Sequence, residues 1–302
     1  MRIAADARRE AGLGHLARCT ALASALREEG VEPETLGLGS SEPIELDDVR
    51  WEPWNASAPP AGAADLLVLD TYDRDGWTEL AARPHGRLVA FADALSDPAA
   101  ADVAIALDNG IVGPRQVLTG LSFACLRRDF WDLGPRQAGE LPEAVLVTTG
   151  GGDPGGLATR VAARLGGSDR EPALPIELVW GPGFEGEPPP GVTTLERPRS
   201  LLEPLLRAGV VVCAGGQTML EAAAAGTPAV VVEAAANQRR QIAALAAAGA
   251  VLPAAEGEVP AAVQRLLDSA PLREELSQRA QEAIDGQGAR RIARELIALE
   301  RR

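Results

Sequence analysis

Short runs of apolar, β-branched residues alternate along this chain with longer stretches whose apolar positions recur at helical spacing. That alternation predicts parallel sheets flanked by helices. The pattern is densest over residues 209–241, GVVVCAGGQTMLEAAAAGTPAVVVEAAANQRRQ. Residues 210–213 read as a buried strand that Gly215 and Gly216 interrupt. Residues 218–225 have helix-forming composition and end at Gly226 and Pro228. A second buried strand follows at 229–232, and Asn237 and Gln238 open another helix that stops near Gly249. This grammar brings two helix N-termini to one carboxyl edge of a sheet, each with unpaired N–H groups and a partial positive charge. The glycines at the first would let a phosphate approach the backbone closely.

The rest of the chain reads in the same way. Residues 2–5 form a first strand, and a polar stretch leads to Gly12, Leu13, Gly14 and His15. Residues 15–29 then carry Leu16, Cys19, Leu22 and Leu26 at helical spacing up to Gly30. Residues 65–70, DLLVLD, are a buried strand, 77–82 a short helix, and 87–91 and 103–107 further strands. Asp108, Asn109 and Gly110 make a turn, and the half closes with residues 123–126 and an arginine-rich turn. Residues 131–142 carry glycine, prolines and polar residues, which places a hinge there. The second half opens with a strand at 144–148, then Gly150, Gly151, Gly152 and Asp153, with Asp153 as N-cap and Pro154 as first helical residue. A strand is expected at 176–180, and a Ser200/Glu203 capping box before the strand at 210. The helical, charge-alternating end, 258–302, is expected to pack on both halves.

At 302 residues the chain can hold two domains. A formal charge of −14 argues against a broad nucleic-acid or anionic-membrane surface. An anionic ligand must be held by helix ends and particular arginines. Every basic side chain is arginine; the absence of lysine removes Schiff-base chemistry and the P-loop lysine. Cys19, Cys125 and Cys213 are widely spaced in apolar stretches and read as buried free thiols. No apolar run approaches the ~20 residues of a membrane span and no secretory leader is recognisable, so a reducing cytoplasm is expected.

Four blocks could carry chemistry. Thr218 and Glu221 have capping-box spacing, which would merely close a helix start. Alternatively, Glu221 accepts from ribose hydroxyls while Gly215, Gly216 and Thr218 hold a diphosphate. His15, at a helix start, should be neutral at pH 7 and able to take a proton, unless it only packs there. Gly12, Gly14 and Ala17 also fit a dinucleotide fingerprint, but six residues separate them from the strand. Asp70, Thr71 and Tyr72 end a strand where open α/β sheets place ligands. Asp73 and Asp75 match an Asp-x-Asp pattern, or Asp73 simply caps the next helix. The turn from Gly150 to Asp153 either contacts a ligand or simply connects strand and helix. His85 reads as a surface-turn residue without a role.

The block Gly-Gly-x-Thr-x-x-Glu, Gly-x-Pro, a β run and Asn-Gln resembles the nucleotide-diphosphate site of GT-B enzymes of the MurG kind. The resemblance implies a ribose on Glu221, a diphosphate on Gly215, Gly216, Gln217 and Thr218, and a sugar at Asn237 and Gln238. The segments AADARREAGLGHLARCTALA, LLVLDTYDRD, FACLRRDF, TTGGGD and CAGGQTMLEAAAAGTPAVVVEAAANQ together resemble the nucleotide-sugar hydrolases of pseudaminic acid synthesis and their spore-coat polysaccharide relatives, the PseG and SpsG kind. This implies His15 as the base activating water against the anomeric carbon of a UDP-sugar with inversion. It places Asp6, Tyr72 and Asn237 around the reaction site and Gly12, Gly14, Gly151, Gly152 and Asp153 on the substrate. Two departures concern the sugar: Ala4 and Arg8 stand where the family has arginine and serine, and Ala92-Asp93 where it has paired aspartates. The implied fold is α/β and GT-B-like, two Rossmann-like domains with an interdomain cleft. Its parts would be 1–136 with the catalytic histidine, 143–285 for the nucleotide, and a helix at 286–302 packing across the domains. The expected reaction uses no metal and no other cofactor. Its partner is a small-molecule UDP-sugar, with no nucleic acid and no membrane span. A GT-B glycosyltransferase and a non-catalytic sugar-nucleotide-binding protein are the alternative readings.

Overall fold

A computed structural model describes residues 1–8, 12–54, 64–82, 85–92, 101–108, 110–111, 113–136, 143–167, 174–181 and 183–301. Asp93, Asn109 and residues 137–142 of the expected hinge lie outside the described residues. The chain divides into two compact units, Met1–Trp131 with Gly286–Arg302, and Asp132–Asp285.

The first unit is built from β1 (Arg2–Asp6), α1 (Gly14–Glu28), β2 (Glu34–Leu38), β3 (Ile44–Leu46), β4 (Val49–Pro53), β5 (Ala64–Asp70), α2 (Arg74–Ala81), β6 (His85–Phe91), β7 (Val103–Ala106) and β8 (Gln116–Thr119). These strands form one sheet in the order β3-β4-β2-β1-β5-β6-β7-β8. β3 pairs antiparallel with β4, and the other pairs are parallel. The chain leaves β1 toward β2 and later returns to β1's other side with β5. The crevice at the carboxyl ends of β1 and β5 is therefore a topological switch point, where such sheets bind ligands. Ala5 pairs with Asp70 there. The apolar runs of β5, β6 and β7 form the central strands because parallel strands are buried on both faces. β2, β3, β4 and β8 carry weaker patterns and were not expected from the sequence. The β3–β4 hairpin turns through Asp47 and Asp48, both left-handed (φ 48° and 61°), a conformation that aspartate tolerates. Arg127 holds Asp47 with two bonds of 2.5 Å. His85 begins β6, and its Nε2 lies 3.0 Å from the Ala81 carbonyl, so it is a strand residue and not part of a turn.

The second unit contains β9 (Ala144–Thr148), α3 (Leu157–Gly166), β10 (Ile176–Trp180), β11 (Thr193–Glu196), α4 (Leu202–Arg207), β12 (Ala208–Ala214), α5 (Gln217–Ala224), β13 (Ala229–Val232), α6 (Arg239–Ala247), β14 (Leu252–Pro253), α7 (Val259–Leu267) and α8 (Ala270–Ala283). Its parallel sheet runs β11-β10-β9-β12-β13-β14, with the switch point between β9 and β12. Val145, Val147, Leu178, Val210, Val212 and Val230 build a core against α3 and α7. The capping box expected at Ser200 does not form. Helix α4 starts at Leu202, whose N–H donates to the Ser200 hydroxyl at 3.2 Å, and Glu203 sits inside the first turn.

The last helix, α9 (Gly288–Glu300), was expected across both domains; its apolar face joins the first unit's core. Ala289, Ile292, Ala293 and Leu296 are fully buried in the cluster that holds Leu16, Cys19, Leu22 and Leu26 of α1. Helix α1 is thus covered by the sheet and by α9, which explains its ten buried positions. Arg290 pairs with Glu28 and Arg294 with Glu29, each at 2.8 Å, along the helix flank. Among the described residues no helix is long and apolar enough to cross a membrane. Helix α9 docks through Gly288, where a Cβ would stand 2.6 Å from the Ala124 carbonyl carbon. Gly288→Ala should therefore destabilise the protein by about 1–3 kcal/mol, as overpacking does. Gly257→Ala, at a site where a Cβ meets nothing within 4 Å, is the neutral control. Denaturant melts of both variants check this, and equal midpoints would show that the α9 contact yields freely.

Candidate functional site

In the first unit, β1 and β5 each end in a buried aspartate at the switch point, Asp6 and Asp70. Burying a carboxylate without partners is costly, so each is surrounded by donors. Asp6 accepts from Arg8 Nε at 2.9 Å, from the other guanidinium arm at 2.7 Å, and from the Thr71 hydroxyl at 2.9 Å. Burial would raise its carboxyl, but these bonds hold it below the ordinary value. Asp6, expected beside a sugar, ties the end of β1 to Thr71 beyond β5, with Arg8 folded over it.

Asp70 is the centre of a second cluster. His15 Nδ1 lies 2.6 Å from Oδ1, while Arg18 grips both oxygens, Nε to Oδ2 and the terminal nitrogen to Oδ1, each at 2.5 Å. The Cys19 thiol donates to Oδ2 at 3.4 Å. Burial pushes the Asp70 carboxyl up, but the Arg18 and His15 interactions outweigh it and hold the group well below the usual carboxylate range. Asp70 is therefore ionised at neutral pH and can only accept. The proton on His15 must sit on Nδ1, which leaves Nε2 as the nitrogen able to take a proton. Arg18 also approaches Nδ1, at 3.3 Å, but that nitrogen already donates to the nearer carboxylate. Tyr72 meets the His15 ring edge-to-face, with centroids 4.4 Å apart. His15 is buried, Gly12 is left-handed at φ 73°, and among the described residues none lies within 4 Å of a Cβ built on Gly12 or Gly14. The sequence pointed to His15, Tyr72 and the glycine turn. It marked Asp70 as a strand end at the ligand edge without pairing it with His15, and it passed over Arg18, which lies one turn from His15 on the same helix face.

In the second unit the two glycine turns behave differently. After β9, Thr149 Oγ1 donates to the Gly152 carbonyl at 2.8 Å, and Gly152 bridges to Gly183. Gly181 leaves no room for a side chain, since a Cβ there would stand 2.6 Å from the Gly151 carbonyl oxygen. Asp153 does cap a helix, but across the turn Pro154–Gly156. Its oxygens accept from the Ala158 N–H at 2.6 Å and from the Thr159 N–H and hydroxyl at 3.1 and 2.6 Å. A carboxylate of the chain thus stands where an anion would bind at the start of α3. A ligand role for Asp153 would compete with that cap.

After β12 the helix start carries no such carboxylate. The N-cap of α5 is Gly216, which has no side chain, and among the described residues no acidic group lies in its first turn. Gln217 is the first helical residue, and Thr218 and Glu221 are buried inside the helix, so the capping-box reading does not hold. Burial and the nearby Glu221 charge push the Cys213 thiol up to about 12. Gln238, expected on a ligand, accepts from the Gly215 N–H at 3.2 Å and the Ala234 N–H at 2.9 Å, and Gln241 donates to the Gly215 carbonyl. A Cβ on Gly215 would lie 2.5 Å from Ile242 Cδ1, so a side chain there would have to displace Ile242. Asn237 sits beside this clamp in the turn Ala236–Gln238.

No protein-family model matches the sequence, and neither does any curated protein. Solved structures do match along the whole chain. MurG of Acinetobacter baumannii superposes with a TM-score of 0.61 at 18% identity, over 98% of each chain. The spinosyn forosaminyltransferase SpnP gives 0.64 at 16% identity, over 100% of this chain and 99% of that one. The glycosyltransferase SsfS6 of Streptomyces sp. SF2575, solved with thymidine diphosphate, gives 0.61 at 16% identity, over 98% and 99%. At these identities the likeness concerns architecture: the chain has a GT-B fold of two Rossmann-like α/β units.

Proposed function

We propose that this protein binds a nucleoside diphosphate sugar and displaces the diphosphate from its anomeric carbon, transferring the sugar to an acceptor hydroxyl. The observation that carries this reading is His15, held on Asp70 with Nε2 as its proton-accepting nitrogen, at the switch point of the first sheet. The acceptor O–H gives its proton to Nε2, and its oxygen attacks the anomeric carbon. The bond to the diphosphate breaks and its electron pair leaves with the phosphate oxygen. The glycine-led start of α5 supplies N–H groups and a helix dipole for that charge. Glu221 accepts from the ribose hydroxyls and Asn237 meets the sugar. The names of the similar structures, glycosyltransferases and one with thymidine diphosphate, favour transfer to a hydroxyl. The five segments similar to the PseG and SpsG kind favour a second reading, in which the acceptor is water and the sugar is released free.

Purified protein given UDP- and dTDP-sugars, with and without acceptor alcohols, separates the two. A glycoside formed only with acceptor supports transfer, and free sugar formed at the same rate without acceptor supports hydrolysis. Neither product from any sugar nucleotide would sink both. His15→Ala should lower turnover by roughly 10²–10⁴-fold while nucleotide affinity, read by calorimetry, changes little. Retained turnover would remove His15 from the reaction. Glu221→Gln should weaken UDP binding by about five- to tenfold, the difference between a charged and a neutral acceptor. A 2′,3′-dideoxy nucleotide, lacking both hydroxyls, should bind the two proteins alike. Equal UDP affinities would leave Glu221 without a ligand.

A further inference from the structure

We propose that Arg18 is a positioning residue that keeps His15 available as a base by holding a share of Asp70. The proposal rests on the reading of His15 as the base. Asp70 is buried and its two oxygens are divided: Oδ1 takes His15 and one arm of Arg18, and Oδ2 takes Arg18 Nε. With His15 neutral, the guanidinium and carboxylate charges cancel inside the unit. Protonating His15 then leaves a net positive charge in a buried site, beside a guanidinium whose terminal nitrogen is 3.3 Å from Nδ1. Without Arg18 the balance inverts, because a buried carboxylate facing one imidazole is neutralised by protonating that imidazole.

The surroundings fit this division. His15 meets Asp70 and Tyr72 from the β5 side and Arg18 from its own helix. Phe91, ending β6, covers the guanidinium at 4.9 Å, which fixes its plane against the carboxylate. Cys19 lies against Asp70 Oδ2, and Cys125 donates to the Arg18 carbonyl at 3.0 Å. Burial pushes both thiols up, so neither adds charge to the cluster. Lysine could supply the charge but not the fork that grips both oxygens.

The test follows His15 by NMR titration of its ring signals, with His85→Gln identifying the other histidine. Arg18→Gln should raise the His15 midpoint by about 1–2 pH units, the size of a nearby charge effect. Asp70→Asn should lower it, since Arg18 is then unbalanced beside the ring. Arg18→Lys should leave it close to wild type. The acid limb of the pH–rate profile should move upward in Arg18→Gln by the same amount as the NMR midpoint. A merely structural arginine would lower the rate at every pH without moving either midpoint. An unmoved or lowered midpoint in Arg18→Gln, or a raised one in Asp70→Asn, overturns the proposal. If Arg18→Gln does not fold, Arg18→Met takes its place in the titration, with the same expected direction. The NMR arm needs no substrate, so it separates failure of this proposal from failure of the proposed reaction.

Discussion

A buried carboxylate needs partners, and the partners of Asp70 organise the first unit's chemistry. Its desolvation is offset by one guanidinium, one imidazole and a thiol, all contributed by α1. The same bonds fix the end of β5 to the start of α1. They also set the tautomer of His15, because an ionised carboxylate can only accept. Asp6 repeats the arrangement one strand away with Arg8 and Thr71. The two aspartates occupy the carboxyl ends of the strands that flank the switch point, where the fold leaves a crevice.

The two units share one winding plan and use it differently. In each sheet the chain builds one side from the central strand and then crosses to the other. In the first unit the crevice is furnished with titratable side chains. In the second it is furnished with backbone: Gly215 and Gly216 after β12, clamped from behind by Gln238 and Gln241. The two helix starts next to that crevice are not equivalent. Helix α3 is closed by Asp153, whereas α5 begins at a glycine. The position of one carboxylate therefore decides which of two glycine turns has its helix dipole open to an anion.

Much of this was legible in the chain itself. β5, β9, β12 and β13 are near-continuous apolar runs bounded by glycine or polar turns, and such runs announce buried parallel strands wherever they occur. Helix α1 was legible from its spacing, and His15 from its place behind a glycine turn. Strands β3, β4 and β8 were not, because edge and half-exposed strands carry mixed residues whose pairing comes from their neighbours, and the buried β2 was not because Thr35 and Gly37 break its apolar run. The capping box expected at Ser200 does not form, and of the two readings of Thr218 and Glu221 the capping box fails, since the motif fixes a spacing but not the residue at which the helix begins. Sequence by itself determined the α/β class and set a histidine and glycine turns at helix starts, because those depend on local pattern. Only the tertiary structure decided that Asp70 belongs with His15 and Arg18, and that Gln238 braces the glycine turn at Gly215. Each of those pairings joins residues whose distance in space is set by sheet order, and sheet order is a property of the whole fold.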